Sequence, residues 1–94
     1  MKITRFIWLE EIVQKLIWKH SVEIEEVREF FFNNPKFRFI EKGHRKDENV
    51  YAAFGQAAGG RYLACYFVYK TNRRALVLSA RDMTDAERKR YGRK

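Results

Sequence analysis

The hydrophobic pattern changes period once, at the single proline, Pro35. Before it, apolar residues recur at helical spacing; after it, they alternate. Ile3 to Leu9 reads as a short strand or extended segment. Glu10 to His20 reads as a helix with Ile12, Val13, Leu16 and Ile17 in one stripe. Ser21-Val22 breaks it. Glu23 to Phe32 reads as a second helix, with Ile24, Val27 and Phe31 inward and glutamates early, where they suit the helix dipole. Asn33-Asn34-Pro35 stops it.

Beyond Pro35 the pattern is that of strands. Lys36 to Glu41 places Phe37 and Phe39 on one face. Lys42 to Asn49 is a polar loop, Val50 to Gln56 a strand, and Ala57 to Gly60 a turn. Arg61 to Tyr69 is the strongest strand signal. Lys70 to Arg73 is a hairpin turn, and Arg74 to Ala80 a strand. Thr84-x-x-Glu87 then opens a short helix to Tyr91. The expected fold is α+β: two N-terminal helices, a three- to four-stranded antiparallel sheet with helices on one face, and a short C-terminal helix. At 94 residues it should form one domain, 1–94.

Charge sharpens the division at Pro35. Residues 1–34 hold five Lys/Arg against six Asp/Glu, and residues 35–94 hold fifteen against six. The excess of +8 therefore lies in the strand-rich part and suits a polyanion or an acidic partner. An ordinary solvated basic surface would have the same composition. Cys65 is the lone cysteine and sits in an apolar run, so a buried thiol is expected and a disulfide framework is excluded. No run is long enough to span a bilayer. The first residues, with Glu10 and Glu11 behind Ile7-Trp8-Leu9, do not form a signal peptide, so a cytoplasmic location is expected. No His/Cys/carboxylate set has ligand spacing, so no metal and no cofactor is expected.

Three segments carry a resemblance. They are Lys19-His20-x-Val22 before a glutamate-rich helix ending at Phe31 or Phe32, Gly60-Arg61-Tyr62-Leu63, and Ser79-Ala80-Arg81-x-x-Thr84-x-x-Glu87-Arg88-x-x-Tyr91. In this order the chain resembles the BrnT family, ribonuclease toxins of type II toxin–antitoxin modules. The last segment is the most specific. Departures fall early: Leu9-Glu10 replaces an Asp-Pro pair after Trp8, Ile12 and Leu16 occupy polar places, and Ser21 replaces a glycine. The resemblance implies a RelE-like fold, metal-independent RNA cleavage, and a cognate antitoxin of the BrnA type, with a homodimer possible within the complex.

Such cleavage uses the neighbouring 2′-hydroxyl as nucleophile. It needs a base, an acid and cations around the phosphorus. The candidate catalytic residues are Arg61, Arg81, Arg88, Tyr91, Glu87 and His20. Arg61 and Arg81 sit where strands meet turns and could fork onto a phosphate, or serve structure. Thr84 and Glu87 have a sufficient structural reading as a capping box. Tyr91 could stack on a base, donate a proton or pack on the sheet. His20 suits the negative end of a helix dipole without any catalytic role. Lys89, Arg90, Arg93 and Lys94 are candidate RNA-binding cations. Phe30, Phe32, Phe37 and Phe39 crowd one turn and are a candidate apolar patch for an antitoxin or a second copy. A non-catalytic basic module binding nucleic acid or protein is the alternative function.

Overall fold

The computed structural model of the chain describes residues 1–45 and 48–92. In chain order the elements are β1 (Arg5–Ile7), α1 (Glu10–His20), α2 (Ile24–Phe32), β2 (Lys36–Glu41), β3 (Asn49–Gln56), β4 (Tyr62–Lys70), β5 (Arg74–Asp82) and α3 (Asp85–Gly92). A turn of 3₁₀ helix, Thr71–Arg73, joins β4 to β5.

The sheet has five strands in the order β1-β5-β4-β3-β2, where three to four were expected. Strands β2 to β5 form the expected antiparallel meander. The extra member is β1, which lies parallel beside β5 with Phe6 opposite Ala75. Three residues are too few to show an alternation, so the sequence supports a short strand or an extended segment there equally. Helix α1 packs on β5 and α2 on β3.

One sheet face and these two helices enclose the core. Leu63, Cys65 and Phe67 of β4 point into it with Leu16, Val22, Val27 and Phe30, all fully or nearly fully buried. Burial of apolar area on this scale is the main driving force for a chain this short. Ile12 and Leu16, which replace polar residues of the resembled family, belong to this packing. Ile17 does not: it is half exposed although it continues the sequence stripe. The opposite face of the sheet carries no helix except α3.

Strand β5 changes parity within its length. Phe67 pairs with Val77 but Tyr66 pairs with Ser79, leaving Leu78 as a bulge. Ala75 and Val77 face the core; after the bulge, Ala80 does. The extra residue therefore turns Arg81 to the open face and Asp82 to the helix side. Without it, Arg81 would follow Val77 toward the core.

The α1–α2 junction is strained at one residue. Ser21 caps α1 in the left-handed region, at φ 53°. Glycine meets that conformation without steric cost, and serine does not.

Candidate active site

The open face is lined by alternate residues whose neighbours form the core. Arg81 pairs across with Ala64, Ala64 with Phe54, and Phe54 with Lys36. Arg38, Ala52, Tyr66 and Ser79 form the next row. Helix α3 lies over the first row. Tyr91 meets the Tyr62 ring at 6.1 Å between centroids, and its carbonyl accepts a 2.7 Å hydrogen bond from Lys36 Nζ. The Arg88 guanidinium covers Tyr62 at 4.3 Å, a cation–π contact that orders both side chains.

Glu87 organises this region. Its carboxylate grips Arg81 with two hydrogen bonds, 2.7 and 3.0 Å from Nη1 and Nη2. It also accepts the Thr84 backbone N–H at 2.8 Å, while Thr84 Oγ1 accepts the Glu87 N–H at 3.2 Å. The capping box is thus present, and the same carboxylate fixes an arginine. The hydrogen bond from Arg81 comes first among the causes that lower the Glu87 pKa to about 2, against the opposing effect of burial. Glu87 in turn raises the Arg81 pKa, so the pair is ionised together.

The Arg81 Nε makes no hydrogen bond among the described residues, and the terminal nitrogens are engaged beyond Glu87. Nη1 also reaches the Asp82 carbonyl at 3.0 Å, and Nη2 reaches the Tyr66 hydroxyl at a loose 3.4 Å. Its partner Glu87, and not Arg81 itself, borders a groove of about 200 Å³ together with Lys36, Arg38, Phe54, Tyr66, Arg90 and Tyr91, among others. On the other flank of α3, Tyr62, Arg88, Lys89 and Tyr91 border a second, more open hollow. Arg38, Arg88 and Arg90 make no ion pair among the described residues. Concentrated unpaired guanidinium groups over an aromatic floor match a phosphate–base polymer.

Arg61 lies elsewhere. It precedes Tyr62, so the pleat turns it to the helix side. There Nε bonds Asp82 Oδ1 at 2.6 Å, Nη1 bonds the Ser21 carbonyl at 2.7 Å, and Nη2 bonds the His20 carbonyl at 2.8 Å. Nη1 also contacts Glu26 at 3.2 Å. The Arg61 hydrogen bond is the first cause holding Asp82 below the usual carboxylate range. This arginine ties the end of α1, the start of α2 and the end of β5 together. His20 belongs to the same corner through its carbonyl, and its side chain borders neither groove beside α3.

The structure therefore brings Arg81, Glu87, Arg88, Tyr91, Lys89 and Arg90 to the α3 side of the sheet and turns Arg61 to the helix side, where it bonds the His20 carbonyl. Arg93 and Lys94 lie outside the described residues. Lys36, Arg38, Tyr62 and Tyr66 join the cleft without having been selected from the sequence. Their parity opposite Phe37, Leu63, Cys65 and Phe67 was the available signal. Cys65 is fully buried, and burial pushes its thiol pKa up. Among the described residues no group of three or more His, Cys, Asp and Glu is placed to hold a metal ion. No helix among them is long and apolar enough to cross a membrane.

The aromatic patch divides as well. Phe30 is fully buried within the chain and leaves the interface set, because it sits on the α2 face that meets β3. Phe37 is half-buried, packed on Phe31 and Phe67. Phe32 is 85% exposed and Phe39 53%.

A meander backed by two helices, with a basic, tyrosine-lined cleft on its open face, defines a small α+β protein. The family described as the ribonuclease toxin, BrnT, of type II toxin–antitoxin systems matches residues 8–87. The chain belongs to that family. The crystal structure of the Brucella abortus ribonuclease toxin BrnT superposes with a TM-score of 0.63 at 25% identity, covering 87% of this chain and 100% of that one. No curated protein matches the chain.

Proposed function

We propose that this ribonuclease toxin cuts RNA in the Arg81 cleft without a metal. The 2′-oxygen attacks the adjacent phosphorus, the bond from phosphorus to the 5′-oxygen breaks, and a 2′,3′-cyclic phosphate and a 5′-hydroxyl result. Arg81, held by Glu87, stabilises charge on the phosphoryl oxygens, with Arg88, Arg38 and Arg90 around it. Tyr66 and Tyr91, which both border the groove, are the proton-handling groups. Glu87 is a positioning residue. A carboxylate with a pKa of about 2 that is already shared with a guanidinium is a weak base. Arg61 and His20 support the fold at the helix corner and do not touch substrate.

The observation that carries this reading is the two-pronged Glu87–Arg81 pair, whose Glu87 borders a groove together with Arg38 and Arg90, neither of them in an ion pair among the described residues. Purified protein and an RNA oligonucleotide, incubated with a chelator, test it. Cleavage with a cyclic phosphate end is expected, and a single 2′-deoxy replacement at the cut should block it. Retention of RNA without cleavage would instead favour a binding module.

The neutralising partner is an antitoxin, of the BrnA type in this reading. Exposed Phe32 and Phe39 with half-buried Phe37 offer it, or a second copy, an apolar contact on the helix side of the sheet. Phe32→Asp should weaken capture of the co-expressed antitoxin and leave RNA cleavage unchanged.

A further inference from the structure

The open face continues past the Arg81 cleft. Two residues beyond Tyr66 on β4 is Val68, paired with Val50 on β3 and Leu76 on β5. At ~3.3 Å per strand residue it lies about 7 Å from Tyr66, on the same face. These three half-buried side chains floor a separate groove of about 300 Å³. Lys42, His44 and Lys70 border it, together with Glu41 and Glu48.

Local structure holds this rim in place. Glu48 is bound by Lys70 at 3.2 Å, which offsets its charge. The Gly43 N–H donates to Asn49 Oδ1 at 3.2 Å. A Cβ on Gly43 would collide with the Glu48 carbonyl oxygen, so only glycine lets the two arms of the loop approach this closely. Lys42 and His44 flank that contact point and are presented to the groove. An apolar floor accepts the face of a base, while Lys42 suits its phosphate and Glu41 and the His44 imidazole suit its polar edge.

We infer that this groove is a second nucleotide subsite, filled by the same RNA strand that is cut at Arg81. The strand runs along β4 from Tyr66 over Val68 toward Lys70. The subsite adds affinity for longer RNA and reads one base away from the cut. The inference rests on the proposed cleavage at Arg81 for its direction, but its test does not use cleavage.

Binding of 2′-O-methyl RNA, which cannot be cut, is measured by fluorescence anisotropy with strands of roughly three and roughly 12 nucleotides. The wild-type chain should bind the longer strand at least about tenfold more tightly. Lys42→Glu/His44→Ala should lose most of that advantage and bind the short strand as before. Lys15→Glu, on the exposed outer side of α1, controls for net charge and should keep the advantage. The inference is overturned if the double variant binds the long strand like wild type, or if Lys15→Glu loses as much. Length-dependent binding with no cleavage of unmodified RNA would keep the subsite and overturn the cleavage reading alone.

Discussion

Arg61 and Arg81 lie at the same end of neighbouring strands, yet they face opposite sides of the sheet. Arg61 meets two backbone carbonyls and two carboxylates around the α1–α2 junction. Its hydrogen-bonding fork is saturated inside the protein, so it acts as a clamp. Arg81 meets one carboxylate in a two-pronged bond, the Asp82 carbonyl at 3.0 Å and the Tyr66 hydroxyl at a loose 3.4 Å, next to a groove that Glu87 and Tyr66 border. The two regions differ in the acceptors that surround the guanidinium and not in residue type.

The largest stability effect should come from Arg61→Ala. It strands Glu26 and the His20 and Ser21 carbonyls at a partly buried corner, at a cost of about 2 kcal/mol. The partner Asp82 is 65% exposed, which keeps the loss from being larger. Chemical denaturation would measure it. Next, Glu87→Gln keeps a capping side chain but removes the ion pair, so cleavage should fall about tenfold and the melting temperature in neutral buffer should drop by a few degrees.

The same substitution alters the acid limb. A carboxylate whose pKa is depressed from 4.5 to about 2 by folding stabilises the protein above 4.5. That contribution is lost as pH falls toward 2. It should amount to about 1 kcal/mol, given residual solvent screening. Denaturation curves from pH 6 to pH 2 should therefore be flatter in Glu87→Gln than in the wild type. Thr84→Ala removes one half of the box and should cost about 1 kcal/mol, with a smaller loss of activity. The smallest effect is a gain. Ser21→Gly relieves the left-handed cap that Arg61 holds and should stabilise by about 0.5 kcal/mol. If Ser21→Gly destabilises, the Arg61 corner is not strained in the way described.

Legibility in the sequence followed the strength of local periodicity. The helices α1 and α2, the central strands and the Thr84–Glu87 box were readable because spacing alone determines them. The open-face residues Tyr62, Tyr66, Lys36 and Arg38 were readable in principle from parity but were passed over as strand filler. The bulge at Leu78 was not readable. Ala75-Leu76-Val77-Leu78-Ser79-Ala80 gives no sign of the extra residue, and that residue decides which way Arg81 points. Arg61 was read with Arg81 because both border a strand end. Its acceptors come from residues 20, 21 and 26, brought near only by the fold. Phe30 was placed in a patch because consecutive aromatics cannot all face inward. Phe32, exposed at 85%, is the one that turns out.

The central claim is that Arg81 touches RNA and Arg61 does not. It is tested most directly by RNA cleavage with Arg81→Ala and Arg61→Lys, each assayed in chelator at a temperature where circular dichroism shows it folded. Folded Arg81→Ala should lose roughly 100-fold or more in kcat/KM, with a melting temperature lowered by only the few degrees that loss of the Glu87 pair costs. Arg61→Lys should melt earlier but, while folded, cleave within a few-fold of the wild type. Full activity in Arg81→Ala, or a folded Arg61→Lys as inactive as the claim expects of Arg81→Ala, would contradict it.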